Sequence, residues 1–201
     1  MDIIGEAARW LEREGMAMWQ GDELAPARIA ADVDAGLFVL AEHSGDPAGV
    51  MMFQLEDPVF WPDVNHRDAA YVHRLAIRRR YAGTGLSAGL LRWAVGRTRD
   101  LGRRLLRLDC EASRPRLRAF YESFGFRYHS DMQAGPYFVS RYEYDVSSAD
   151  DFWSGTAIPL RTLSCAMSCP SARTLARLVS ETWSASNSAM IFGNPQIPRP
   201  A

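Results

Sequence analysis

Residues 78–87, RRRYAGTGLS, join an apolar stretch at 69–77 (AAYVHRLAI), which reads as a strand, to a long amphipathic segment at 85–101, which reads as a helix. No other part of the chain constrains the fold as tightly. Gly83 and Gly85 allow the backbone to turn where a Cβ would clash. The helix that follows points its free N–H groups, and the positive end of its dipole, back at the loop. Arg78, Arg79 and Arg80 stand just ahead of it and add bidentate donors. A pyrophosphate is the natural guest of such a junction.

Two familiar phosphate loops can be compared with it. Gly83-x-Gly85-x-x-Ala88 satisfies the dinucleotide fingerprint, and Asp109 and Glu111 close a strand about where a ribose-binding acid would sit. In that fold, however, the first glycine follows its strand almost at once, whereas here residues 78–82 intervene. The loop also lies mid-chain, behind a hairpin that a dinucleotide fold does not need there. The second familiar loop needs a lysine, and this chain has none: all 23 basic residues are Arg. The same absence excludes Schiff-base and pyridoxal-phosphate chemistry. The arginines are concentrated, with 14 against 4 acids in 71–127 and 9 against 20 acids elsewhere, although the net charge is only −1.

Three cysteines, Cys110, Cys165 and Cys169, are too few for a disulfide framework, and the odd count points to a reducing compartment. Cys165 and Cys169 lack nearby His partners, so no metal site is expected. The first 20 residues are laced with charge, and no window offers 18 uninterrupted apolar residues. A cytoplasmic protein with no membrane contact is the expectation.

The pattern predicts helices near 3–15 and 23–35, strands at 37–41 and 49–55 forming a hairpin, and a loop over 56–68. Beyond the strand at 69–77 and the helix at 85–101 come a strand at 105–110 and a helix from 115 to 124, with Ser113 as N-cap and Gly125 as stop. Strands at 126–129 and 137–146 follow. The expected domain is therefore 1–146, α/β around a mixed sheet. Residues 147–201 carry ten Ser, five Pro and little periodicity beyond one amphipathic helix at 171–183. They read as an appendage, poorly ordered or loosely packed.

Read as Arg80-x-x-Gly83-x-Gly85, the loop resembles the acetyl-CoA signature of the GNAT superfamily of N-acetyltransferases. Phe120-Tyr121-Glu122-x-x-Gly125-Phe126, downstream of the next strand, resembles the helix end of the same family. The resemblance covers residues 3–146 and implies a mixed, mostly antiparallel sheet flanked by helices. Such domains usually begin with a strand, and here that first strand is not apparent.

The resemblance implies acetyl-CoA as cosubstrate. The backbone of Leu75, Ala76 and Ile77 would pair with its pantetheine arm as an added strand would. Arg80, Ala82, Gly83, Thr84, Gly85, Leu86 and Ser87 would hold the pyrophosphate. Arg114 stands where many relatives carry a cofactor-contacting Asn. Tyr121 matches the general acid, and His73, with an ordinary pKa of about 6.5, is a candidate base. An acid such as Glu42 or Glu56, or a relayed water, is an alternative base. The other histidines, His43, His66 and His129, read as surface residues. Trp19, Gln20, Phe60 and Trp61 set aromatics beside carboxylates, which suits a cationic amine of a small molecule or a peptide amino terminus. A degenerate acyl-CoA-binding domain is the alternative activity. A homodimer is possible, and no nucleic-acid partner is expected because the basic segment carries no nucleic-acid motif.

Overall fold

The computed structural model describes residues 3–19, 23–148 and 160–162. The elements run α1 (Ile3–Arg13), α2 (Pro26–Asp34), β1 (Phe38–His43), β2 (Asp46–Gln54), β3 (Ala69–Ile77), α3 (Leu86–Asp100), β4 (Leu105–Glu111), α4 (Pro115–Phe124), β5 (Arg127–Ala134), β6 (Tyr137–Asp145) and β7 (Leu160–Thr162). The sheet order is β5-β6-β4-β3-β2-β1-β7. Every neighbouring pair is antiparallel except β3 and β4, which run parallel. A parallel pair needs a long crossover, and α3 supplies it.

The helices α3 and α4 share one face of the sheet. Leu86, Leu90, Leu91, Ala94 and Val95 of α3 are buried against Ala70, Val72, Leu106 and Leu108, in one cluster with Tyr121 of α4 and Phe126. On the other face, Ile3 and Ile4 of α1 and Ile29 and Val33 of α2 pack on Phe38, Leu40, Met52 and Ala76. A third cluster on that face holds Trp61, Ala69, Tyr71 and Leu105. Period-2 alternation along β3 and β4 therefore sends neighbouring side chains into different layers.

The described chain enters the domain through α1, and the outer edge of β1 is not bare. Val39, Leu40 and Ala41 pair antiparallel with Thr162, Arg161 and Leu160 of β7. A piece of the 147–201 segment thus lies on the sheet edge, which protects the ladder groups of β1. The helix expected at 171–183 lies outside the described residues. Two local expectations are corrected. Strand β5 extends to Ala134, because pairing with β6 along its length overrides a sequence with little apolar alternation. Arg114, not Ser113, is the N-cap of α4, and the Ser113 hydroxyl instead donates to Glu111 Oε1 at 2.8 Å.

Candidate active site

The parallel pairing of β3 and β4 runs only from Ala69↔Leu105 to Val72↔Leu108. Past that point the strands diverge, and β3 continues to Ile77 and β4 to Glu111 without pairing to one another. A β-bulge marks the same place. Met52 pairs with His73 and Val50 with Ala76, so Arg74 and Leu75 together oppose Met51. Arg74 takes φ 51°, a left-handed torsion that costs a non-glycine residue about 1 kcal/mol or more. Its guanidinium is held by Asp32 Oδ2 at 3.0 Å and the Glu23 carbonyl at 3.2 Å. The extra residue reverses the facing of the strand. Tyr71 belongs to the Trp61 layer and Ala76 to the α1–α2 layer, while Leu75 and Ile77 pack towards α3. The β4-facing backbone of the Leu75–Ile77 stretch is left without a strand partner, which is a template for an extended guest.

The loop between β3 and α3 opens to solvent. Ala82, Gly83, Thr84 and Gly85 are exposed. Gly83 and Gly85 have φ +79° and +84°, and nothing lies within 4 Å of where a Cβ would stand. Their requirement for glycine is therefore torsional rather than steric. Gly85 is the N-cap of α3 and no side chain caps that terminus, so the first-turn N–H groups stay available to an anion. The three arginines ahead of the loop divide their work. Buried Arg78 donates to Glu6 Oε2 at 2.6 Å, and Arg79 lies 3.9 Å from the Trp10 ring centroid. Arg80 is exposed; it lies 4.8 Å from the Tyr81 ring centroid and pairs with Asp46 at 3.1 Å, an exposed ion pair that a phosphate can replace at little cost.

At the point of divergence stands a buried trio. His73 Nε2 faces Asp57 Oδ2 at 3.2 Å, and His73 Nδ1 faces Asp109 Oδ1 at 3.5 Å. The three side chains keep 15%, 4% and 11% of their surface for His73, Asp57 and Asp109. Burial opposes charge on the ring, but the Asp57 and Asp109 carboxylates outweigh it and raise the His73 pKa. Burial pushes Asp109 up to about 6, with His73 pulling the other way. Ligand atoms of these residues lie within 4.8 Å of one another, close enough for a metal group. Each ring nitrogen nonetheless faces a different carboxylate at ion-pair distance, so the ring is bracketed by two acids. Phe60 and Tyr137 wall the trio, with ring centroids 6.1 Å from His73 to Phe60 and 6.4 Å from Phe60 to Tyr137. The Tyr137 hydroxyl donates to Glu23 Oε1 at 2.6 Å.

This trio sets a pH dependence of stability. The folded protein holds the Asp109 proton more tightly than the unfolded chain, whose carboxyl sits at 3.8. The raised His73 acts in the same sense. The stability contributed is thus full below about pH 4 and is lost as pH rises through about 6 and then through the histidine. The stability that depends on Asp109 should fall between about pH 4 and 6 in calorimetry, with the His73 part lost at higher pH, and Asp109→Asn should flatten the fall between about pH 4 and 6.

Other expected site residues are placed differently. Trp61 is 0% exposed and cannot line an open pocket. It is sandwiched between Arg107 and Arg141, 5.0 and 4.8 Å from its ring centroid, and anchors the 56–68 loop. Arg114 is occupied: it contacts Glu111 Oε2 at 2.5 Å and donates to the Met16 and Ala17 carbonyls at 2.7 and 3.1 Å. It therefore ties the segment after α1 to the end of β4, which leaves it poorly placed for a phosphate. Trp19 is half-buried against the α1–α2 layer. Gln20 lies outside the described residues. Of the surface histidines, His66 is not free, with Nδ1 2.6 Å from the Tyr71 hydroxyl. Asp57, Asp109, Glu23 and Tyr137 were not singled out for the site, since only the loop anchoring and the strand divergence bring them together. Tyr121 lies on the opposite, α3–α4 face, buried beside Phe120 and Phe126 at centroid distances of 5.4 and 5.9 Å. Its phenol is pushed above its ordinary value by burial and by Cys110 and Asp109 nearby.

The family profile described as the Acetyltransferase (GNAT) family matches residues 5–126, from α1 through the divergent strands to the end of α4. The chain belongs to the GNAT acetyltransferase family. A relative agrees: an uncharacterized N-acetyltransferase of Bacillus subtilis, YesJ, is 31% identical over 134 residues, 63% of this chain and 73% of its own length. Among solved structures, a GNAT-family acetyltransferase from Listeria monocytogenes matches with TM-score 0.57 and 24% identity over 71% of this chain and 85% of its own. The aminoglycoside acetyltransferase AAC(6′)-Ib, solved with coenzyme A, matches with TM-score 0.52 and 18% identity over 72% and 91%. These structural likenesses establish the GNAT fold. No helix among the described residues is long and apolar enough to cross a membrane.

Proposed function

We propose that this GNAT domain transfers an acetyl group from acetyl-CoA to a primary amine of a small molecule or a peptide amino terminus, by direct attack. The observation that carries the reading is the divergence of β3 from β4 past Val72 and Leu108, directly ahead of the uncapped α3 terminus. The residues present fit the cosubstrate: an unpaired strand edge suits the pantetheine amides, and exposed left-handed glycines suit a pyrophosphate. Acetyl-CoA supplies an activated thioester.

In this reading Leu75, Ala76 and Ile77 hold the arm through backbone hydrogen bonds. Ala82, Gly83, Thr84, Gly85, Leu86 and Ser87 cradle the phosphates with N–H groups, and Arg80 exchanges Asp46 for phosphate. In this reading the gap opens through the sheet, with Tyr121 on the α3–α4 face and the His73 trio, by strand alternation from Tyr71, on the other. The amine enters beside Phe60 and Tyr137, and sulfur departs towards Tyr121. A phenol raised above about 10 is a weaker acid than a thiol near 8.5, which supports Tyr121 as a hydrogen-bond donor to the thiolate. The test is thiol release from acetyl-CoA across a panel of primary amines. Release that depends on the amine supports the reading, and none with any amine contradicts it.

The loop offers a separate check. Gly85→Ala must place a Cβ at φ +84°, at a cost of about 1 kcal/mol. The free loop relaxes out of that torsion and must regain it to bind, so calorimetry should show acetyl-CoA affinity weakened about fivefold, with turnover at saturation little changed.

A further inference from the structure

We propose that Asp109 is the group that takes the proton from the attacking amine, and that His73, clamped between Asp57 and Asp109, is the positioning residue that orients it. The inference rests on the acetyl-transfer reading above and identifies the base within that same site.

The geometry argues against His73 as the base. A general base must present a lone pair to the proton it takes. Both His73 nitrogens face carboxylate oxygens, at 3.2 and 3.5 Å, and Nε2 is buried. The attraction is electrostatic: two facing carboxylates favour the charged ring, which has a proton on each nitrogen and no lone pair. Asp109 is placed otherwise. It is the first residue of β4 beyond the last β3–β4 pair, on the same face as Tyr71 and His73. Its Oδ1 is buried against the ring, and the side chain retains 11% exposure one residue past the end of the β3–β4 pairing. It is thus the carboxylate of the trio that meets an entering amine. Asp57 is committed elsewhere, since its Oδ1 accepts the Phe60 N–H at 3.1 Å and its side chain is 4% exposed.

The charged groups around Asp109 are consistent with this task. From β3 comes His73, from the 56–68 loop Asp57, from β6 Arg141 and from α4 Tyr121. Arg141 spends its guanidinium on Asp63, at 2.6 and 3.1 Å, and so does not neutralise Asp109 by direct contact. Burial raises the Asp109 pKa to about 6, which lets the carboxylate be ionised yet basic near neutrality. In the reaction the amine nitrogen bonds to the acetyl carbon as the carbon–sulfur bond breaks. The nitrogen's surplus proton passes to Asp109, and the sulfur leaves as a thiolate facing the Tyr121 hydroxyl. Asp109 then releases the proton to solvent, the thiolate takes one up, and the products are the amide and the free thiol.

The experiment has two arms. In the unliganded protein, ¹⁵N spectra of the His73 ring should show both nitrogens protonated at pH 7.5. In thiol-release kinetics, Asp109→Asn should lower kcat/KM by about 100-fold or more and abolish the acidic limb near pH 6, with acetyl-CoA affinity within about twofold of the parent. His73→Asn should keep an acidic limb, displaced upward, because the cation that stabilises ionised Asp109 is gone. A neutral His73 with a bare nitrogen at pH 7.5 would overturn the proposal. So would a folded Asp109→Asn variant retaining its acidic limb and activity within about threefold. Absence of turnover in the parent protein would count against the acetyl-transfer reading alone, and the ring spectrum then decides the clamp by itself.

Discussion

Trp61→Ala is expected to destabilise the domain by about 3–5 kcal/mol, the range for removing a fully buried large aromatic. In a domain of this size that is a fall in melting temperature of about 6–20 °C. The ring is completely enclosed, edge-on to Tyr71 at 6.2 Å and between the Arg107 and Arg141 guanidinium groups. Those arginines pin the same loop through its backbone. Arg107 donates to the Asn65 carbonyl at 3.1 Å and Arg141 to that of Phe60 at 3.2 Å. Arg103 adds the carbonyls of Leu55 and His66 at 2.8 and 2.7 Å. Asp57 and Phe60 ride on this loop, so the loss should reach the site, with turnover falling alongside stability. Trp61→Phe keeps an apolar ring and sacrifices no hydrogen bond among the described residues, where Nε1 has no partner. It should cost only about 1–2 kcal/mol. A Trp61→Ala variant that melts within about 2 °C of the parent would show that the ring does not anchor the loop.

If the acetyl-transfer reading holds, Tyr121→Phe is expected to have the second large effect, on chemistry rather than stability. The phenyl ring keeps its packing against Phe120, Phe126 and Tyr142. The hydroxyl is what is lost. A hydrogen bond to a charged partner contributes about 1.5–3 kcal/mol, so turnover should fall about 10- to 150-fold at saturating acetyl-CoA. The melting temperature should stay within about 2 °C and cosubstrate affinity within about threefold. An unchanged turnover would remove Tyr121 from the chemistry and leave it a core aromatic.

The sequence reading went furthest where local chemistry decides structure. The Gly83–Gly85 turn, the stripe of α3 and the Gly125 stop of α4 each follow from torsional freedom or 3.6-residue periodicity, and each is where it was expected. Strand β3 was legible from its apolar run, but its bulge at Arg74 was not, because a bulge is defined by the partner strand. The acceptor side was the least legible. Asp57 and Asp109 are 52 residues apart, and only the 56–68 loop, folded down by arginines from β4 and β6, brings them to the two sides of His73. Trp61 was misplaced for the same reason: beside carboxylates in the sequence it suits a cation pocket, and the cations it meets are Arg107 and Arg141 of its own chain. Arg114 was expected at the cosubstrate because it stands where many relatives carry a cofactor-contacting Asn, whereas Glu111 and the chain after α1 take its donors. Strand β7 lay in a stretch without alternation, and pairing with β1 rather than local propensity makes it a strand.

In the proposed reading the gap between β3 and β4, with the uncapped α3 terminus beside it, binds acetyl-CoA. Isothermal titration of the full chain with acetyl-CoA tests it most directly. One molecule should bind per chain, with Kd between about 1 μM and 1 mM, the span of working substrate affinities. Binding should be weaker for Gly85→Ala and of parental affinity for Tyr121→Phe. No binding by the folded parent protein at millimolar acetyl-CoA, or binding indifferent to Gly85→Ala, would contradict it.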